Sequence, residues 1–157
     1  MSRIRRTPHT LVAPLSHAEA RLSVDTAGEG FTDVTGEAAA FLAEVSAGAG
    51  VLTVFCRHTS CSLTIQENAD PDVRKDLISA LRALAPRDFG WIHATEGPDD
   101  MPAHVRAMLS DVSLSIPVSD GRALLGTWQG IYLIEHRTRP QRREIVLAFT
   151  GTIGHFA

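Results

Sequence analysis

The stretch Phe55 to Pro71, FCRHTSCSLTIQENADP, concentrates groups that can do chemistry. It holds an imidazole at His58, thiols at Cys56 and Cys61, hydroxyls at Thr59, Ser60, Ser62 and Thr64, and acid or amide groups at Glu67, Asn68 and Asp70. An imidazole beside hydroxyls can grip a phosphate oxygen or a metal ion, and Glu67 can serve as ligand or base. Read as a strand, the segment puts His58, Ser60, Ser62 and Thr64 on one face and Thr59, Cys61, Leu63 and Ile65 on the other. The second face suits a core. The first is a polar strip that needs water or a ligand.

More candidate groups lie downstream. His93, His104 and His136 join His58, but no two form a tight HxxxH pair, so local spacing carries no metal signature. Taken singly, each histidine equally fits a surface or capping role. In the acidic loop Glu96-Gly97-Pro98-Asp99-Asp100, the carboxylates could hold Mg²⁺ or a metal-bound water, or form a solvated turn that caps the next helix. His104 follows at once, and a carboxylate beside a ligating histidine orients it. Arg57, Arg137, Arg139, Arg142 and Arg143 offer forks for phosphate, and equally fit charged strand ends. Gly126-Thr127-Trp128-Gln129-Gly130 sits inside a strand pattern, where glycine marks a bulge or close approach. Trp128 there is either a pocket wall or an aromatic in a core or subunit interface.

The elements that must position these groups are legible in outline. Residues 1–17 read as an N-terminal extension, with Thr10 to Val12 as a short edge strand, and residues 18–157 as one domain. Ala20 to Val24 is a strand. Asp33 to Ala47 is a helix capped by Thr35, with Ala38, Phe41, Leu42 and Val45 at helical spacing. Val51 to Cys56 is β-rich. Asp70 caps a second helix with Pro71 at its first position, an apolar stripe of Val73, Leu77, Ile78, Leu81 and Leu84, and Pro86 beyond its end. A short helix opens at Pro102. Ser113 to Val118, Ala123 to Glu135 and Arg143 to Thr150 form a β-meander. The order predicts an α+β fold: a single domain with a largely antiparallel sheet, sandwich-like or a partial barrel, and helices packed on one side.

The chain has 157 residues, 44% hydrophobic and 21% charged, with a net charge of −3. That balance argues against nucleic-acid and anionic-membrane partners, and no apolar run is long enough to span a bilayer. The start MSRIRRTPHT is a poor secretory signal. Cys56 and Cys61 on one extended strand would face opposite ways, so both read as reduced, unpaired thiols of a cytoplasmic protein. No organic cofactor is evident.

The segments RHTSCSLTIQENADPDVRKDL, EGPDDMPAHVRAMLSDVSLSIPV and GTWQGIYLIEHR closely resemble the YjbQ-type family in content, order and interval, over roughly Ala20 to Gly151. The resemblance implies a compact α+β homotrimer and a secondary thiamine-phosphate synthase activity. Its polar signature falls on His58, Thr59, Ser60, Glu67, Asn68, Asp70, His93, His104, Gly126, Thr127, Trp128, Gln129 and Glu135. On this reading His58, Glu67 and His104 are catalytic. Thr59, Ser60, Asn68, Thr127, Trp128, Gln129 and Arg137 bind a small phosphorylated metabolite. His58, His93 and His104 hold a divalent metal, Zn or Mg, with Asp99 and Asp100 as alternative ligands or as partners of the ligating imidazoles. Three functions follow: coupling of a pyrimidine pyrophosphate to a thiazole phosphate, a metal-dependent hydrolase, and a non-catalytic trimer that binds phosphometabolites.

Overall fold

The computed structural model describes residues 14–154. The strand expected at Thr10 to Val12 lies outside them. The elements run β1 (Ser16–Thr26), β2 (Gly30–Asp33), α1 (Thr35–Glu44), β3 (Ala47–Cys56), β4 (Cys61–Glu67), α2 (Pro71–Leu84), α3 (Asp100–Leu109), β5 (Ser113–Ser119), β6 (Arg122–Ala123), β7 (Gln129–Glu135) and β8 (Gln141–Ile153). A five-stranded sheet has the order β1-β8-β3-β5-β6, and a three-stranded sheet has the order β2-β7-β4. Every ladder is antiparallel. The α+β architecture is the one expected.

The core lies where the sheets face each other. Leu52, Val54, Leu63, Ile131, Leu133, Ile145 and Phe149 are fully buried, and the Ala38-Phe41-Leu42 face of α1 joins them. At the β3–β8 ladder the backbones approach so closely that a Cβ on Gly151 would overlap the Ala49 carbonyl oxygen. Strand β7 is covered on both faces from Gly130 to Glu135, which explains its unbroken apolar run. That run then delivers Glu135, His136 and Arg137, all buried, so each must find a partner inside the protein.

Three local readings change. Thr35 does not cap α1. Val34 occupies the cap, while the Thr35 hydroxyl accepts the Ile131 N–H at 2.8 Å and ties the helix to β7. Ala123 to Glu135 is not one strand, because residues 124–128 leave the five-stranded sheet after β6 and enter the three-stranded sheet at β7. The polar strip is also broken. Residues 57–60 are the crossing from β3 in one sheet to β4 in the other, and Cys61, Ser62 and Leu63 are all buried. Alternation fails there because β4 is covered on both sides at its start. The α2 cap is as expected: Asp70 accepts the Asp72 N–H at 2.8 Å, with Pro71 at the first position.

Candidate metal centre

Helix α3 begins at Asp100, two residues before the expected start, with Asp99 in the cap position. That start puts Asp100 and His104 one turn apart on one face. Asp100 is 2% exposed, and its Oδ2 lies 2.9 Å from His93 Nε2 and 3.2 Å from His104 Nε2. His93 comes from the connection between α2 and α3. The two imidazoles lie 5.9 Å apart, tilted by 53°. The donor atoms of His93, Asp100 and His104 all fall within 4.8 Å of one another.

The hydrogen bonds around this trio fix the His104 tautomer and the orientation of Asp100. His104 Nδ1 is 3.0 Å from the Thr59 carbonyl, which only accepts, so Nδ1 carries the hydrogen. In the neutral ring Nε2 is then a bare lone pair facing a carboxylate oxygen 3.2 Å away. Two acceptors that close need either a proton on Nε2 or a cation between them. The other carboxylate oxygen of Asp100 accepts from Arg137 Nη1, which turns Oδ2 toward the histidines. An imidazole whose far nitrogen is tied to a carbonyl is the usual posture of a metal ligand.

Arg137 and Asp99 hold this arrangement from behind. Arg137 also donates to Asp99 Oδ2 at 3.2 Å and to the Glu96 carbonyl at 2.8 Å. Asp99 accepts from the Thr138 N–H at 2.8 Å and the Thr138 hydroxyl at 2.9 Å. Burial pushes the Asp99 carboxyl up, but the Thr138 donors and Arg137 outweigh it and hold it at about 2. Asp99 is therefore a structural anion with its oxygens occupied, and Arg137 is not free to receive a phosphate. Asp99 thus occupies the α3 cap position and backs the cluster through Arg137, and the Arg137 guanidinium is engaged by both carboxylates.

His58 is also placed differently. Its Nε2 accepts the Glu144 N–H at 2.8 Å, which pins the ring to β8 and removes that nitrogen as a ligand. Burial first, and Arg143 nearby, hold it below the ordinary histidine range, so it stays neutral with Nδ1–H as its donor. It does not join the trio but shares a cavity with His104. The cavity holds about 560 Å³ and is walled by Phe55, His58, Thr59, His104, Met108 and Val112 among others. Ser60 is held by Arg143, whose Nη2 lies 3.1 Å from its hydroxyl. Arg143 is itself paired with buried Glu135 at 2.6 and 2.7 Å, so it too is unavailable as a free phosphate fork.

The remaining candidates gather elsewhere. Glu67 Oε1 accepts the Asp70 N–H at 3.3 Å. Asn68 Nδ2 donates to the Thr127 and Gln129 carbonyls at 3.4 and 3.3 Å, and Gln129 Oε1 accepts the Gly126 N–H at 2.8 Å. These contacts organise the Gly126–Gln129 turn and leave Trp128 65% exposed. Strand β4 separates this group from Thr59 and His104 by about 20 Å at the usual rise per residue. Within one chain, then, Glu67 belongs to the β4–α2 corner and not to the histidine cluster.

Two arrangements had no signal in spacing. His136 is fully buried, with Nε2 2.8 Å from the Ser62 hydroxyl, which meets Ser110 Oγ at 2.7 Å. The Cys56 and Cys61 sulfurs lie 3.1 Å apart in the core, both unoxidised. They face each other because they sit on different strands, not on the single strand expected.

An α+β protein with paired antiparallel sheets and a His-Asp-His cluster beside a cavity is the class that fold and site define. The sequence model described as "UPF0047 protein YjbQ-like" matches residues 20–152. UPF0047 protein sll1880 of Synechocystis is 45% identical over 133 residues, 84% of this chain and 90% of that protein. The conserved hypothetical protein TT1486 of Thermus thermophilus has the same fold with a TM-score of 0.72 and 38% identity, over 81% of this chain and 97% of that one. A YbjQ-like protein of Sulfolobus solfataricus superposes with a TM-score of 0.83 at 20% identity, over 88% of this chain and all of that one. The chain belongs to the YjbQ (UPF0047) family. Among the described residues, no helix is long and apolar enough to cross a membrane.

Proposed function

We propose that the chain is a metal-dependent enzyme acting on a small phosphorylated metabolite, with its centre at His93, Asp100 and His104. The observation that carries this reading is the convergence of His93 Nε2, His104 Nε2 and Asp100 Oδ2, with donor atoms of the three residues all within 4.8 Å of one another. A divalent ion bound by His93 Nε2, His104 Nε2 and Asp100 Oδ2 would supply Lewis acidity beside the cavity. Two imidazoles and one carboxylate favour zinc or a similar transition ion over magnesium, which prefers an all-oxygen shell. Thr59 fixes the His104 tautomer. Arg137 aims Asp100. His58 offers an Nδ1–H donor in the same wall, suited to a substrate oxygen. Hydrolysis is the simplest chemistry for two histidines, one carboxylate and an open side.

The pyrimidine–thiazole coupling reading loses its expected phosphate clamp, since Arg137 is engaged with Asp99 and Asp100. The test is turnover of a panel of phosphomonoesters, p-nitrophenyl phosphate among them, with Zn²⁺ or Mn²⁺ supplied. Activity that vanishes in Asp100→Asn and His104→Ala is the expected result. Turnover that persists in both variants, or none with any substrate or metal, contradicts the reading.

A further inference from the structure

We propose that Cys56 and Cys61 form a reversible disulfide that staples the two sheets together and closes a ring around the Arg57–Ser60 crossing beside the histidine cluster. The two sulfurs are already in contact at 3.1 Å. They belong to different sheets, Cys56 pairing with Ile145 on β8 and Cys61 with Glu135 on β7. The residues between them include His58 in the cavity wall and Thr59, whose carbonyl holds His104. Formation of the bond therefore acts on the segment that orients one side of the cluster.

The pair is reachable although both residues are buried. Cys56, though 2% exposed, is among the residues that line the cavity of about 560 Å³, and Cys61 is not, so the cavity is the side from which a small oxidant nears the pair. The Cys56 sulfur is also primed as the attacking atom. The two thiols share a contact in which either sulfur can donate; contact with Cys61 first, then the His58 backbone N–H and Arg143, favour the Cys56 thiolate against burial, and the net effect lowers it from the ordinary thiol range. Contact with Cys56 first, and burial, push the Cys61 thiol up, so it holds its proton longer than Cys56 does. One low and one high thiol in contact is the arrangement of an attacking and a resolving cysteine.

With hydrogen peroxide as oxidant, the Cys56 thiolate attacks one peroxide oxygen, the O–O bond breaks, and hydroxide leaves with a Cys56 sulfenic acid formed. The Cys61 sulfur then attacks the sulfenic sulfur, the S–O bond breaks, and water leaves as the disulfide forms. In sum, two thiols and one peroxide give one disulfide and two waters, the two electrons passing to peroxide. A dithiol reductant reverses the change.

The experiment is peroxide titration of the full chain, followed by denaturing alkylation and intact mass. A loss of about 2 Da, no alkylation of either thiol, migration as a monomer on non-reducing gels and full reversal by dithiothreitol are the expected results. Stepwise gains of oxygen without that loss, two alkylated thiols, or disulfide-linked dimers overturn the proposal. The coupling to the cluster rests on the metal reading above and has its own readout. Zn²⁺ affinity is compared between oxidised and reduced protein, with the Cys56→Ala/Cys61→Ala double variant as the control that binds zinc but has no thiol at either position to oxidise. A change of at least threefold in Kd is expected in the wild type only, and an unchanged Kd overturns the coupling. If the reduced protein binds no zinc, the metal reading fails while the mass measurement still decides the disulfide.

Discussion

His136 gives the sharpest prediction about stability. The side chain is fully buried beyond the end of β7, hydrogen-bonded through Nε2 to Ser62, with no partner for Nδ1 among the described residues. Burial above all, with Arg106 and Arg143 nearby, drives it from 6.5 down to about 4. Above pH 6.5 the imidazole is neutral in both folded and unfolded chains and contributes no pH dependence. Below that value the unfolded chain takes a proton that the native state refuses, so stability falls as pH falls. The loss is complete once pH passes below the folded value of about 4. At about 1.4 kcal/mol per pH unit, the effect across that window is about 3 kcal/mol. The perturbation is His136→Gln, which keeps a polar group toward Ser62 and cannot titrate. The assay is urea unfolding of both proteins from about pH 4 to about pH 7.5. The stability difference between wild type and variant should be flat above about pH 7 and shrink or reverse by about 3 kcal/mol on going to about pH 4. His58, also held low, titrates in both proteins and cancels in the difference. Parallel curves across the whole range would refute the claim that the protein holds His136 neutral.

Arg137→Met removes the only cation that meets both Asp99 and Asp100 among the described residues. Stranding two buried carboxylates should cost about 3–5 kcal/mol in chemical denaturation, far more than a surface pair would. Asp70→Ala deletes the α2 cap and should cost about 1 kcal/mol, read as a lower urea midpoint at neutral pH. Gly151→Ala forces a methyl against the Ala49 carbonyl and should lower stability by about 1–3 kcal/mol, read as a reduced midpoint of thermal or urea unfolding.

What was legible in the sequence was local. Asp70-Pro71 announces its helix because an N-cap and a first-turn proline act within a few residues. The acidic loop and His104 are neighbours in sequence and in space, since one turn of α3 joins them. His93 is one of four candidate histidines that spacing alone could not gather, because only the tertiary fold brings the α2–α3 connection to Asp100. The placing of His58 was hidden for the same reason: its Nε2 meets a backbone N–H on β8, 86 residues away. The IEHR segment did carry a usable signal. Three polar residues ending an apolar, doubly covered strand have to be paired inside, which argues against a free phosphate fork at Arg137. The cysteine geometry was missed because alternation was extended through residues 57–60, where the chain changes sheets.

The central claim is a cation held by His93, Asp100 and His104. Its most direct test is zinc stoichiometry and coordination in untagged protein, by calorimetric titration together with X-ray absorption at the zinc edge. One zinc per chain is expected, with two imidazoles and a carboxylate in its shell. Binding should be lost in Asp100→Asn and His104→Ala and retained in His58→Ala. Absence of binding by the wild type, or a site abolished by His58→Ala and intact in Asp100→Asn, would contradict it.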